Sequence, residues 1–132
     1  IQPARLPDNS RAVWHLYPYR YDAAQFNGLP YGKFIEALGA EGIPCGGGYS
    51  EQYFDGMFDE AIASRGFQRL FSAERLKAYR DSFNELKGNK QACETTVTMY
   101  QSLLLADRKD MDHILEAVRK IHAHSAALAK KA

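Results

Sequence analysis

The stretch GIPCGGGYSEQY, residues 42–53, organises the rest of this chain. It follows a helical pattern, turns at Gly42, passes through Pro44 and then lacks side chains for three residues. Consecutive glycines cost much conformational entropy to order, and they let another surface approach the backbone closely. Two interpretations stay open: a flexible turn, or a strand edge and loop that approach a ligand or a partner chain. A phosphate-binding P-loop is excluded, because no Gly-Lys-Ser or Gly-Lys-Thr follows.

Composition indicates one ordinary globular domain with its own core. The chain has 132 residues, of which 45 % are hydrophobic and 25 % charged, with a formal net charge of +1. That balance argues against binding to nucleic acid or to an anionic membrane. The two cysteines, Cys45 and Cys93, form no CxxC motif, which favours a reduced, cytoplasmic setting. No apolar run reaches membrane-spanning length, and no signal peptide is visible.

The residue pattern predicts an α/β fold of the α+β kind, a small domain with a short, mainly antiparallel sheet covered by about three helices. The predicted strands and helices lie as follows: strands near 13–21, 45–49 and 95–105, and helices near 30–40, 72–87 and 108–126. Pro18 cannot donate a ladder hydrogen bond, so the first strand should have an edge or an irregularity there.

Capping residues and periodicity support two of these helices. Ser72 and Asp107 are suited to cap the helices that follow them. Gly88-Asn89 should end the first of the two. The last helix carries an amphipathic stripe made of Met111, Ile114, Leu115, Val118 and Ile121.

Residues 54–71 are apolar without a regular period. They form either a loop packed on its own core or a surface that another chain or domain covers.

Domain boundaries follow from composition. We expect residues 1–12 to be a linker from a missing N-terminal domain, residues 13–126 to be a folded domain, and residues 127–132 to be a frayed tail.

The sequence contains no self-sufficient catalytic or metal site. His122 and His124 are two residues apart, so they point to different faces of a helix. Cys45 lies beside glycines but has no evident histidine partner, so it is interpreted as a small buried hydrophobe rather than a nucleophile. His15 is interpreted as a partly buried histidine satisfied by the backbone, with ligand contact as the alternative.

Several stretches, taken in order, carry a resemblance to a known family. They are HLY at 15–17, KFIEAL at 33–38, AEGIP at 40–44, GGY at 47–49, QSLLL at 101–105, DMD at 110–112 and AVRKI at 117–121. Over about residues 13–121 they resemble the C-terminal small domain of the DegT/DnrJ/StrS sugar aminotransferases, which are fold-type-I enzymes dependent on pyridoxal phosphate. Gly48 and Ser50 stand where many members have His and Pro, so no particular sugar is carried over.

The resemblance implies a division of labour between two domains. A large domain, missing here, would carry the Schiff-base lysine, hold pyridoxal phosphate, and form a homodimer in the full-length protein. The small domain would wall the cleft for a keto sugar or cyclitol and contribute no catalytic residue, so the fragment alone should be inactive. The substrate-contacting residues would be, in chain order, His15, Gly46, Gly47, Gly48, Tyr49 and Tyr53.

Two other functions stay open. One is a non-catalytic module for oligomerisation or ligand sensing. The other is a sugar dehydratase on the same scaffold, since relatives in which a histidine replaces the Schiff-base lysine eliminate water. Because residues 54–71 would be exposed without a large domain, we also expect the fragment to self-associate.

Overall fold

The chain divides into two compact units in the computed structural model, which describes residues 1–130. The first unit comprises residues 1–48 and the chain from residue 94 onward, and the second comprises residues 49–93. The described α-helices are α1 (Tyr31–Ala40), α2 (Met57–Ala63), α3 (Arg65–Leu70), α4 (Ala73–Ser82), α5 (Lys87–Thr95) and α6 (Arg108–Ala129). Helices accompany one antiparallel sheet, so the predicted α+β fold is confirmed, although the described part has more helices than the three expected.

A four-stranded antiparallel sheet belongs to the first unit. Its strands are β1 (Gln2–Pro3), β2 (Leu16–Arg20), β3 (Gly46–Gly47) and β4 (Thr96–Tyr100), in the order β1-β2-β4-β3. Tyr19 of β2 faces Val97 of β4, which in turn faces Gly47 of β3. Val97 and Met99 are buried while their neighbours are less so, as the two-residue period of a half-buried strand requires.

Pro18 lies in β2, an inner strand of the sheet, and still fits the expected edge. Strand β1 pairs only with Tyr19 and Arg20, so it ends before it reaches Pro18. Pro18 has no N–H to donate, and on the side of β1 it has no neighbouring strand that would need one.

Aromatic side chains fill much of the first unit's core. Helix α1 buries Phe34 and Leu38, which are four residues apart and so lie on one face. The Phe34 ring stacks on Tyr21 with 4.4 Å between centroids. The Tyr21 hydroxyl donates a 2.7 Å hydrogen bond to the carbonyl oxygen of Leu29, so its buried polar end is satisfied.

Helix α6 begins where the sequence predicts but presents a different stripe. The Asp107 side chain accepts the N–H of Asp110 at 3.0 Å, which confirms the predicted N-cap. Ala117, Ile121 and Ser125 are buried. Leu115 is 48 % exposed, so its inclusion in the apolar stripe was wrong. Within residues 1–130, no helix combines the length and apolar character needed to cross a bilayer.

Element boundaries in the first unit differ from prediction at several points. Residues 101–105 form a 3-10 turn rather than an extension of β4. The stretch expected to be a linker contributes β1. Helix α6 runs to Ala129, beyond the predicted end at 126, while residues 131 and 132 of the expected tail lie outside the described residues.

The second unit is helical in the stretch for which two interpretations were open. Residues 54–71 contain α2 and α3, so the loop interpretation is wrong, while coverage of this stretch by another chain or domain stays a prediction. Each helix is short, and the apolar period is interrupted between them at Ser64. A sequence window that spans both helices therefore shows no regular period. The Ser64 side chain caps α3 by accepting the N–H of Phe67 at 3.3 Å. Large apolar side chains in this stretch remain exposed, among them Met57 at 62 % and Leu70 at 75 %.

The helix predicted over 72–87 ends early, and a further helix begins where it was expected to stop. The Ser72 side chain accepts the N–H of Arg75 at 3.3 Å, which confirms the N-cap of α4. Helix α4 ends at Ser82, a 3-10 turn follows, and α5 begins at Lys87. Gly88 therefore lies inside a helix and does not end one, contrary to prediction.

Arg80 links two helices of the second unit. Its guanidinium donates hydrogen bonds to both carboxylate oxygens of Asp59, one of them at 3.1 Å. The same group lies 5.1 Å from the Phe54 ring centroid and 5.3 Å from that of Phe83. A planar cation can satisfy a carboxylate at its edge and stack on aromatic rings with its faces, which a lysine cannot reproduce.

Candidate functional site

The glycine run follows α1 and forms the ordered edge of the sheet. Gly46 and Gly47 pair with Thr98 and Val97 of β4. The N–H of Gly48 continues the contact by donating to the carbonyl oxygen of Thr96 at 3.0 Å. Of the two sequence interpretations, the structure has the strand edge and not the flexible turn.

Packing within the chain explains why residue 47 is glycine. A Cβ atom added there would lie 2.7 Å from the hydroxyl oxygen of Tyr31. That hydroxyl donates a 2.6 Å hydrogen bond to the carbonyl oxygen of Thr96. Glycine at 47 therefore makes room for a side chain of α1 that reaches the sheet.

The other two glycines differ from each other. A Cβ atom at Gly48 would lie 3.2 Å from the Cβ atom of Thr96, whereas one at Gly46 would meet no atom within 4 Å. Space beside the run is thus occupied by the chain itself at 47 and 48 and is open at 46. Contact of Gly46, Gly47 and Gly48 with a substrate stays a prediction.

Tyr49 and Tyr53 line one groove of the second unit, with a volume of about 530 Å³. The remaining lining residues are Ser50, Gln52, Leu86, Asn89 and Cys93. Tyr49 is 69 % exposed and presents most of its surface to solvent. Aromatic, amide and hydroxyl groups make up most of this lining, and none of its residues is Lys, Arg, Asp or Glu. We call this cavity the tyrosine groove.

Tyr53 is fixed within the tyrosine groove by polar and aromatic contacts. Its hydroxyl donates to Glu51 Oε1 at 2.8 Å and accepts the N–H of Asn89 Nδ2 at 3.3 Å. Its ring centroid lies 4.7 Å from Phe54 and 5.5 Å from Phe83. Burial raises the pKa of Tyr53, the Asn89 N–H lowers it, and the Glu51 carboxylate raises it, so the pKa is raised overall. The phenol is therefore neutral and can act as a hydrogen-bonding group.

Sequence reasoning missed one wall of the tyrosine groove. Leu86, Asn89 and Cys93 are spaced three and four residues apart, which places them on one side of a helix. This spacing was the available signal. It was overlooked because Gly88-Asn89 was interpreted as a helix end, whereas α5 passes through both residues.

His15 lies apart from the two tyrosines in sequence and belongs to the first unit. It is exposed at the bend that precedes β2. The interpretation as a partly buried histidine was therefore wrong. Its role as a ligand contact stays a prediction.

Other candidate reactive groups offer no catalytic arrangement in the described part of the chain. Cys45 is half-buried, with its Sγ atom 4.0 Å from the carbonyl oxygen of Ile35. Burial raises the pKa of the Cys45 thiol, which disfavours the nucleophilic thiolate. Among residues 1–130, no group of three or more His, Cys, Asp and Glu side chains could hold a metal ion.

The lysines within residues 1–130 do not fit a covalent pyridoxal phosphate site. Every lysine within residues 1–130 is exposed. Lys33 and Lys120 are each paired with a glutamate at 2.8 Å, and Lys77 is paired with Asp81. A lysine that forms a Schiff base needs a depressed pKa, which desolvation or a neighbouring cation supplies. The described lysines are exposed to solvent and not enclosed in a desolvated pocket.

Comparison with known proteins gives a likeness that extends over most of this chain. The chain is 29 % identical over 131 residues to a protein of Streptoalloteichus tenebrarius named "Putative L-glutamine:3-amino-2,3-dideoxy-scyllo-inosose aminotransferase". The match covers 92 % of this chain but only 29 % of the length of that protein. No family model matches the sequence, and no solved structure matches it. The chain is thus similar, over most of its length, to a part of a longer protein that is named as an aminotransferase.

Proposed function

We propose that this chain is the substrate-side part of an aminotransferase that transfers an amino group to a keto cyclitol or a related keto sugar. The observation that carries the proposal is the likeness to the Streptoalloteichus protein over 92 % of the chain. The tyrosine groove would form one wall of the substrate cleft. The resemblance to the DegT/DnrJ/StrS small domain supports the same assignment.

The chemistry of the tyrosine groove suits an uncharged polyol ring. Tyr49 offers an exposed aromatic face to the C–H groups of such a ring. Side chains of Ser50, Gln52 and Asn89 can form hydrogen bonds with its hydroxyl groups. The volume of about 530 Å³ is within the usual range for small-molecule sites.

The amino-transfer chemistry would be supplied from outside this chain. Pyridoxal phosphate, when bound, provides the electron sink that such a reaction needs. Because the described lysines do not fit that cofactor, we propose that a large domain of the same cytoplasmic, homodimeric protein holds it. The residues described here would bind the substrate, orient it and limit its contact with water.

Calorimetric titration with scyllo-inosose, the parent ring of the relative's named substrate, tests the proposal. We expect saturable binding to the 132-residue chain. Tyr49→Ala should weaken it about two- to tenfold, since an aromatic contact contributes about 0.5–1.5 kcal/mol. Tyr100→Ala is the matched control, because Tyr100 is 65 % exposed but lies on β4 of the first unit. Absence of saturable heat, or an equal loss in both variants, would overturn the proposal.

A further inference from the structure

We infer that Asn89 determines how the tyrosine groove orients its ligand: with Tyr53 it presents hydrogen-bond acceptors, so hydroxyl groups of the ring face this pair and the keto group faces away. This inference rests on the proposed function and adds the orientation of the substrate. Asn89 is then a specificity-determining residue and not a catalytic one.

The direction of the hydrogen bonds in this part of the groove is fixed by the Glu51 carboxylate. An ionised carboxylate only accepts, so the Tyr53 hydroxyl must donate its one proton across the 2.8 Å contact to Glu51 Oε1. Tyr53 Oη can then only accept from its other neighbour. Asn89 must therefore direct its NH₂ group, and not its carbonyl oxygen, at Tyr53 across the 3.3 Å contact.

Both N–H groups of the Asn89 amide are used by this arrangement. Besides the bond to Tyr53, Asn89 Nδ2 donates to Cys93 Sγ at 3.8 Å. What the pair has left are acceptors, namely the side-chain amide oxygen Oδ1 of Asn89 and the second lone pair of Tyr53 Oη. Within residues 1–130, the side-chain hydrogen bonds of Asn89 all leave from Nδ2, and none reaches Oδ1.

A keto cyclitol carries two kinds of polar group, and the pair distinguishes them. The hydroxyls of the ring can donate to Asn89 Oδ1. The ketone oxygen can only accept a hydrogen bond, so it would be repelled by Asn89 Oδ1, which is also an acceptor. The favoured pose therefore turns the keto carbon away from Asn89 and Tyr53. Anions that only accept hydrogen bonds, such as sulfate, should be rejected for the same reason.

Affinity for scyllo-inosose is the first test. Asn89→Ala should weaken binding about two- to tenfold, the usual contribution of one hydrogen bond. Asn84→Ala is the matched control, because the Asn84 amide makes a 3.1 Å bond to the carbonyl oxygen of Asp81 outside the groove. Sulfate should leave the NMR resonances of Asn89 and Tyr53 unchanged at concentrations at which scyllo-inosose saturates. A sulfate-dependent shift would overturn the inference.

The titration of Tyr53 is the second test, because a role limited to stability would not change it. The tyrosines would be labelled at the ring carbon that bears the hydroxyl. Asn89→Ala should raise the pKa of Tyr53, because the Asn89 N–H stabilises the phenolate and the variant lacks it. Asn84→Ala should leave it unchanged. If the wild type binds scyllo-inosose and Tyr49→Ala weakens binding, but Asn89→Ala binds like the wild type, only this inference fails. If the wild type does not bind, the proposed function fails as well.

Discussion

The hydroxyl oxygen of Tyr31 lies 2.7 Å from the position that a Cβ atom on Gly47 would take. Tyr31 is the first residue of α1, and its hydroxyl donates to the carbonyl oxygen of Thr96 on β4. This hydrogen bond attaches α1 to the sheet. The Tyr31 side chain passes β3 at Gly47, which has no side chain. The glycine run is therefore part of the fold of the first unit as well as a candidate substrate wall.

Gly47→Ala should destabilise the chain by about 1–3 kcal/mol, the usual cost of overpacking a filled site. The added methyl group would displace the Tyr31 hydroxyl and break its 2.6 Å hydrogen bond to Thr96. Urea denaturation followed by circular dichroism measures the change. Gly46→Ala is the control and should change stability by less than about 0.5 kcal/mol, because a Cβ atom there meets nothing within 4 Å.

A double-mutant cycle separates the contact from general effects of alanine in β3. On a Tyr31→Phe background the hydroxyl is absent, so Gly47→Ala should cost clearly less than in the wild type. Equal costs on both backgrounds would show that Tyr31 does not explain the glycine.

Arg80→Lys should destabilise the second unit by about 1–2 kcal/mol, although it keeps the charge. Lysine cannot reproduce the pair of bonds to Asp59 or the stacking on Phe54 and Phe83. Hydrogen exchange of the α4 amides measures the loss. Arg69→Lys, at an exposed position of α3, should leave those amides unchanged. Equal exchange in both variants would contradict the role given to Arg80.

Alkaline stability should depend on Tyr21. Burial, and secondarily the nearby Asp22 carboxylate, raises the pKa of Tyr21 from 10.0 to about 12. A group that binds its proton more tightly in the folded state contributes stability that is complete below pH 10 and is lost as the pH rises to about 12. In Tyr21→Phe the free energy of unfolding should therefore fall less steeply than in the wild type between pH 10.0 and about pH 12.

The same variant should cost about 1–2 kcal/mol at pH 7, because the carbonyl oxygen of Leu29 loses its buried 2.7 Å partner. Tyr100→Phe, at an exposed position, should keep the wild-type slope. An unchanged slope in Tyr21→Phe would show that this phenol is not the group responsible.

Pyridoxal phosphate should not label one lysine of this chain in preference to the others. Lysines within residues 1–130 are exposed, and several are ion-paired, so labelling followed by borohydride reduction should be partial and spread over several sites. Peptide mapping by mass spectrometry measures the distribution. Complete labelling of one lysine at an equimolar amount of cofactor would contradict the proposed division of labour.

Local signals in the sequence predicted several elements in both units. Ser72 and Asp107 each accept the backbone N–H of the residue three positions later, so their capping depends on local sequence alone. Leu115 shows the limit of this approach. Its spacing suits the α6 stripe, but only packing decides which side of a wide stripe is buried. Gly88 shows another limit, because a single glycine costs a helix only about 1 kcal/mol and does not by itself end one.

The candidate site was predictable only in part, for a physical reason. The tyrosine groove joins Tyr49 and Tyr53, which the sequence suggested, to Asn89 and Cys93, which depend on the path of α5. The need for glycine at 47 depends on Tyr31, a residue on another element. Contacts between residues distant in sequence leave no local pattern.

The location of bound scyllo-inosose tests the central claim most directly. Amide and tyrosine-ring resonances of the 132-residue chain would be recorded with and without a saturating amount of the ketone. The account predicts that the shifted resonances cluster at Tyr49, Tyr53 and Asn89, in the tyrosine groove. Shifts centred instead on the groove of the first unit lined by Glu41, His113 and Lys120, or no shifts at all, would contradict it.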